Sequence, residues 1–394
     1  MNVENIVDVK QKNVKKIIDY LRFKDIITKK EIAQALELSF ATVSNICNEL
    51  KEKKIIQEDE MQDTRSVGRA PKAISINYKE NYILCLDLHV KNSIKIALIN
   101  FGNEIVKEKY DYYEDGISIY DFVEKCFEQF QKHIIASDIL NKQIIGFGIA
   151  VPGIFDKATE NVIASEIELF ENQPLKKMLT NRFKMPVYVD NESNLCAVYT
   201  QHYQQNGTRE NNAIYLYSGE GLGIGVVSQG QLLRGERGYA PEICHIPIGK
   251  SKYKCELCNN YECIQTDLSI LGFTTKYFEE EVYNKEKMQE KWAKFVDKVK
   301  QKDEKALKVI SENGIIMGRL ISILINLFDP NVVYIGGEIS LLFEELLPII
   351  KPEVDKRLVV NKNSNIEIKV DHKSNHTILL GAAEMVFDKW NPQI

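Results

Sequence analysis

The sequence has no uninterrupted apolar run that reaches the 20 or so residues that span a bilayer. Its first residues, MNVENIVDVKQKNVKK, lack the apolar stretch of a signal peptide. The cytoplasm is the expected compartment, with no membrane partner. Thiols stay reduced there, so clustered cysteines point to a metal before they point to disulfides. A strong charge of one sign is also missing: 51 Lys+Arg against 56 Asp+Glu leave −5 over 394 residues. The balance is uneven, however. Residues 1–79 carry 15 basic and 12 acidic side chains, a net +3, so the remainder carries −8. A small basic module on an acidic body is compatible with nucleic-acid binding, though the excess is too slight to decide it.

What is present at the N-terminus is strong helical grammar. NVKKIIDYLRF (13–23) spaces Val14, Ile17, Ile18 and Leu21 on one helical face. TKKEIAQALEL (28–38) opens with Thr28 and Glu31, the spacing of a capping box. SFATVSNICNELKEKKII (39–56) opens with Ser39 as an N-cap, and Val43, Ile46, Cys47 and Leu50 form its inner stripe. Two short helices joined by a tight turn describe a helix-turn-helix. Two strand-like runs follow, IIQED and KAISIN, around the polar loop EMQDTRSVGRAP, which reads as a wing. Thr42, Asn45 and Asn48 lie at three-residue spacing away from the inner stripe, with Ser39, Ser44 and Lys51 flanking them. Such side chains suit base edges and phosphates of a major groove. Arg65 and Arg69 belong to the wing, and Arg69 suits a minor groove. A winged helix used only for protein contacts is the alternative.

From residue 80 the pattern changes to strands interleaved with helices, hence α/β. Apolar strand-like runs at YILCLDLHV, SIKIALIN, IIGFGIAVPG, PVYVDNESN, NAIYLYSGEGLGIGVV, NVVYIGGEIS and NIEIKV are followed by a closing helix at 376–390. Hairpin pairs with glycine turns suggest two related halves around a cleft. A polar turn is expected between the strand PVYVD and the next helix.

Residues 244–263, CHIPIGKSKYKCELCNNYEC, hold four of the eight cysteines and a histidine. Zinc ligation, a thiol redox switch and unligated cysteines are all open from these residues alone. Cys47, Cys85, Cys126 and Cys196 lie in apolar stretches and read as core.

The motifs VPG (151–153), VDNESN (189–194), SGEGLGIGVV (218–227), GYAPEICHI (238–246), the cysteine cluster and YIGGEIS (334–340) occur in the order of one family. The chain resembles the ROK family over nearly its whole length. That family holds sugar kinases and sugar-responsive repressors on a two-lobed, actin-like (ribonuclease H-like) fold. A winged helix ahead of the body is its repressor arrangement. The resemblance implies a DNA-binding domain at 1–79 and a sugar-binding body at 80–394.

The resemblance also implies residue roles. A family kinase opens its body with an Asp-x-Gly-Gly-Thr-Lys-like turn around the ATP phosphates. Here the stretch is Asp87-Leu88-His89-Val90-Lys91-Asn92, with side chains where glycine is needed. Gly219, Gly221, Gly223 and Gly225 keep the second glycine turn, and read better as a strand corner. The catalytic Asp of the kinases matches Glu192, in the Asp-Asn-Glu sequence of the xylose-repressor branch. No enzymatic activity is therefore expected. Sugar contacts carry over to Gly153, Asn191, Glu192, Glu242 and His245, and to Gln265 where the family has glutamate. The Ser165-Glu166 turn is expected at the pocket edge. One structural zinc carries over to His245, Cys255, Cys258 and Cys263, with Cys255 displaced by one residue and Cys244 set aside. The implied partners are operator DNA and a sugar of xylose or glucose type, and the implied assembly is a homodimer or dimer of dimers. A sugar kinase with a regulatory head is the alternative, as is a repressor answering to a protein partner or a sugar phosphate.

Overall fold

The structure, a computed structural model, describes residues 6–22, 24, 26–60, 72–135, 143–165, 167–202, 210–255, 257–280, 287–359 and 366–392. The head comprises α1 (Ile6–Arg22), β1 (Ile27–Thr28), α2 (Lys29–Ala35), α3 (Phe40–Glu52), β2 (Ile56–Glu60) and β3 (Lys72–Ile76). Thr28 and Glu31 form the reciprocal capping box of α2, and Ser39 caps α3 by accepting from the Thr42 N–H. Val14, Ile17, Ile18 and Leu21 of α1 are buried with Val43, Ile46, Cys47 and Leu50 of α3. β3 pairs antiparallel with both β1 and β2. The loop between β2 and β3, with Arg65 and Arg69, lies outside the described residues.

The first lobe of the body contains β4 (Asn81–Asp87), β5 (Ser93–Asn100), β6 (Ile105–Tyr112), α4 (Ile119–Phe130), β7 (Gln143–Val151), β8 (Ile154–Phe155), β9 (Val162–Ala164), α5 (Leu175–Phe183) and β10 (Val187–Asn191). Next comes α6 (Glu192–His202). The second lobe contains β11 (Ala213–Ser218), β12 (Leu222–Ser228), β13 (Gln231–Leu232), α7 (Gln265–Leu268), α8 (Ile270–Phe278), α9 (Met288–Lys300), α10 (Glu304–Phe328), β14 (Val332–Gly336), α11 (Phe343–Asp355) and β15 (Glu367–Val370), and α12 (Ser374–Lys389) closes the chain.

The two five-stranded sheets share one wiring. Their orders are β10-β7-β4-β5-β6 and β15-β14-β11-β12-β13. In each, three strands run as an antiparallel meander and two are added parallel on the other side. The expectation of two related halves matches this repeat. The polar turn expected after PVYVD is absent: β10 ends at Asn191 and α6 begins at Glu192.

α6 and α12 lie where the lobes meet, and glycines allow their close approach. A Cβ on Gly381 of α12 would stand 2.0 Å from the Leu195 carbonyl oxygen of α6. One on Gly225 of β12 would stand 2.4 Å from the Ser193 carbonyl oxygen of α6, and one on Gly148 of β7 would stand 2.4 Å from that of Ala382. So α6 is clamped between α12 and the second sheet, while α12 sits on the first sheet.

One apolar core runs from the head into this junction. Ile17, Ile18 and Leu21 belong to the same buried cluster as Phe101, Leu195, Ile378, Ala382 and Phe387. At its edge Arg22 of α1 donates to both carboxylate oxygens of Glu384 of α12, at 2.9 and 2.5 Å. α10 is long and apolar enough to cross a membrane by length and composition alone, but its apolar residues form the core of the second lobe.

Candidate functional site: the interlobe cleft and a His/Cys cluster

A cavity of about 690 Å³ opens between the lobes. The first lobe contributes His89, Gly153 and the segment from Asp190 to Asn194; the second contributes Tyr217, Gly221–Ile224, Glu242, His245, Gln265 and Glu338. All six residues expected to meet a sugar therefore line one cavity. Gly153 is required by its backbone: φ is +87°, and a Cβ there would meet the Ala164 carbonyl oxygen at 2.0 Å. Glu166 lies outside the described residues.

Asn191 is committed within the protein. Its amide nitrogen donates to the Gly153 carbonyl at 3.1 Å and to Glu192 Oε2 at 2.9 Å, and its oxygen accepts from the N–H and hydroxyl of Ser193. It aims Glu192 as much as it faces the cavity. Burial pushes the Glu192 carboxyl up to about 7, against the pull of His89.

On the side of the cavity lined by His89 and Glu338, side chains reach across between the lobes. His89 Nδ1 lies 2.6 Å from Asp87 Oδ1, and its Nε2 lies 3.1 Å from the Tyr217 hydroxyl on the opposite lobe. Burial alone would lower this imidazole, but Asp87, with Glu192 and Glu338 near, raises it to about 9. Glu338 Oε2 is buried without a hydrogen-bond partner, close over Gly219. His89 thus bridges the two lobes. A second bridge joins Arg234 of the second lobe to Asp190 of the first. Gly223 and Gly225 allow β12 to pack on α6: a Cβ on Gly223 would meet Ser193 at 2.9 Å, and one on Gly225 the Ser193 carbonyl oxygen at 2.4 Å.

The wall carrying Glu242 and His245 continues into the cysteine loop. His245, Cys255, Cys258 and Cys263 bring four donor atoms within 4.8 Å of one another. His245 Nδ1 lies 3.6 Å from Cys255 Sγ and 3.5 Å from Cys263 Sγ. Donors on a tetrahedral zinc, with Zn–S of about 2.3 Å and Zn–N of about 2.0 Å, stand roughly 3.5 Å apart, so this set fits the ion. The one-residue displacement of Cys255 is absorbed by a tight turn, in which the Asn259 N–H donates to the Cys255 carbonyl and the Cys255 N–H to that of Asn260. Cys244 is buried outside the donor set. Cys47, Cys85, Cys126 and Cys196 are buried, as core residues should be.

Sequence reasoning passes over Asp267, which is fully buried. It accepts from the N–H groups of Lys250 and Ser251, at 2.7 and 3.0 Å, pinning the stretch between His245 and Cys255. The bridging of His89 to Tyr217 has no local signal, because the two residues lie 128 positions apart in the chain.

In the head, Asn45, Asn48 and Lys51 of α3 are exposed, while Thr42 and Ser44 are half-buried. The Ser39 and Thr42 hydroxyls lie 2.8 Å apart within the cap. Asn48 Oδ1 accepts from Lys29 at 2.9 Å, and Glu58 draws in Lys29, Lys51 and Lys72. Hydrogen bonds from Lys51 and Lys29 hold Glu58 down at about 2.

Two lobes of identical wiring around a cleft define an actin-like α/β body behind a helical head. The ROK family profile matches residues 85–389, and the chain belongs to the ROK family. The xylose repressor of Caldicellulosiruptor bescii is 28% identical to it over 386 residues, 96% of each chain. The DNA-binding transcriptional repressor Mlc of Escherichia coli is 23% identical, over 96% of this chain and 94% of its own. A solved ROK family transcriptional regulator, a homologue of Mlc, superposes with a TM-score of 0.80 over 96% of both chains at 21% identity. The ROK glucokinase of Streptomyces griseus gives 0.62 at 19% identity, over 77% of this chain and 98% of its own.

Proposed function

We propose that the chain is a sugar-responsive, DNA-binding transcriptional repressor of carbohydrate-utilisation genes, with residues 1–79 as a winged helix-turn-helix and residues 80–394 as the sensor. The observation that carries this reading is the shared core of head and junction: α1 packs on α12, α12 on α6, and α6 begins at Glu192 in the cavity wall. A ligand that favours one arrangement of the lobes thereby acts on the head, provided it binds the two states unequally. Relatives named as repressors over almost the whole chain support the same assignment.

In this reading Gly153, Asn191, Glu192, Glu242, His245 and Gln265 form the sugar site. A free sugar of xylose or glucose type suits a cavity lined by carboxylates and amides, which pair with vicinal hydroxyls. Zinc would be held by His245, Cys255, Cys258 and Cys263. Its chemistry would be structural, because four protein donors complete the tetrahedron. It would fix the loop that presents Glu242 and His245. Ser39, Thr42, Ser44, Asn45, Asn48 and Lys51, with Arg65 and Arg69 of the wing, would meet the operator, and a homodimer would supply two reading heads for two half-sites.

A sugar kinase is the competing assignment. His89 and Val90 occupy the turn that must admit nucleotide phosphate, and a glutamate stands at the place of the kinase base. An assay of ATP-dependent phosphorylation across a panel of free sugars separates the two; turnover at about 1 s⁻¹ or more would overturn the non-enzymatic assignment.

A further inference from the structure

α3 begins with two apolar residues that the described residues leave largely uncovered. Phe40 is 58% exposed, the most exposed of the described phenylalanines, and Ala41 beside it is exposed as well. Most other described phenylalanines are packed in the three cores. The polar side chains around Phe40 are already engaged: Ser39 and Thr42 with each other in the cap, Asn48 with Lys29, Lys51 with Glu58. Asn48 and Lys51 are exposed but carry those bonds, whereas Phe40 and Ala41 are exposed apolar groups at the start of α3.

The position of the ring decides what it meets. The first residues of the second helix in a helix-turn-helix contact base edges, and a helix N-terminus attracts phosphate. At that place in a major groove the one apolar group offered by the bases is the 5-methyl of thymine. We propose that Phe40, with Ala41 beside it, reads a thymine methyl group in the operator. The inference rests on the DNA-binding reading of the head and adds to it a base and an atom. It gives the head a source of specificity independent of charge, which matters because Glu58 neutralises part of its lysine complement.

The test uses the full chain. Duplexes are selected from a random pool by the wild-type protein, and each thymine of the best duplex is replaced singly by deoxyuridine, which removes only the methyl group. Burial of one such group is worth about 0.8 kcal/mol, or about fourfold in Kd. The expected result is at least one thymine per half-site whose replacement weakens wild-type binding about fourfold. Phe40→Ala should bind the thymine duplex more weakly and be indifferent to that replacement, with Phe40→Leu between the two. Tolerance of deoxyuridine at every position within about twofold would overturn the inference. So would a Phe40→Ala protein as sensitive to the same replacement as wild type. Failure of the wild-type protein to select any duplex would instead refute the DNA-binding reading, and this inference with it.

Discussion

Arg22 and Glu384 form a two-pronged ion pair between the first helix of the chain and the last, with side chains 4% and 0% exposed. The guanidinium also donates to the Phe101 carbonyl at 3.2 Å and lies 3.7 Å over the Phe387 ring. Head and body are joined here by a fully desolvated contact in addition to the linker that precedes β4. A buried pair adds little over an apolar pair of the same shape, but loss of one partner strands a charge.

Removing one partner should therefore be costly. Arg22→Met or Glu384→Met alone should lower unfolding free energy by about 3–5 kcal/mol in urea titrations, whereas the double change to this apolar pair should recover most of the loss. If the pair also transmits the signal, the double variant should bind sugar while the ratio of operator affinities with and without sugar moves toward one.

The pH dependence has a definite sign. His89 titrates at about 9 in the fold against an ordinary 6.5, so its stabilisation is complete below about pH 6.5 and disappears as pH rises through 9. Glu192, raised to about 7 from 4.5, acts in the same direction at lower pH. Thermal stability should fall steadily from pH 6.5 to 9.5. His89→Gln should remove the part of this decline above about pH 7, measurable by calorimetry across a buffer series. Asp87, Tyr217 and Glu338 complete the surroundings of the imidazole.

Much of this was legible in the sequence. The caps at Thr28 and Ser39, the inner stripe of α3 and the strand runs follow from local periodicity and from side-chain to backbone chemistry, which act over a few residues. The His/Cys cluster was legible as a candidate because three of its four residues fall within nine positions, while the choice of a metal over a redox role came from the family resemblance. The interlobe bridge of His89 and the Arg22–Glu384 pair were not, since their partners lie 128 and 362 residues away. No local pattern distinguishes an arginine that ends a helix at the surface from one that ends it against a buried glutamate. The glycines of 381 and 225 were visible as glycines, but their purpose, the clamping of α6, exists only once α6 and α12 cross.

That clamp can be tested directly. Gly381→Ala would place a methyl group 2.0 Å from the Leu195 carbonyl oxygen, so the helices must separate. A loss of about 1–3 kcal/mol in unfolding free energy is expected, with weakened sugar binding because Glu192 begins the displaced helix.

The cysteine loop makes a prediction about metal. The purified protein should hold about one zinc per chain by elemental analysis. Cys258→Ser or Cys263→Ser should release it, lower the melting temperature by about 5 °C or more, and abolish the response to sugar, although the residues proposed to meet the sugar, Glu242 and His245, are untouched.

If the chain is a sugar-responsive repressor, occupation of the interlobe cleft changes the affinity of the head for DNA. The most direct measurement is fluorescence anisotropy of a labelled, selected duplex titrated with the full chain at fixed salt, with and without saturating free xylose or glucose. The account predicts that one of these sugars shifts Kd by about tenfold or more, and that Glu242→Gln abolishes the shift. Identical titrations in the presence and absence of a sugar shown to bind the cleft would contradict it.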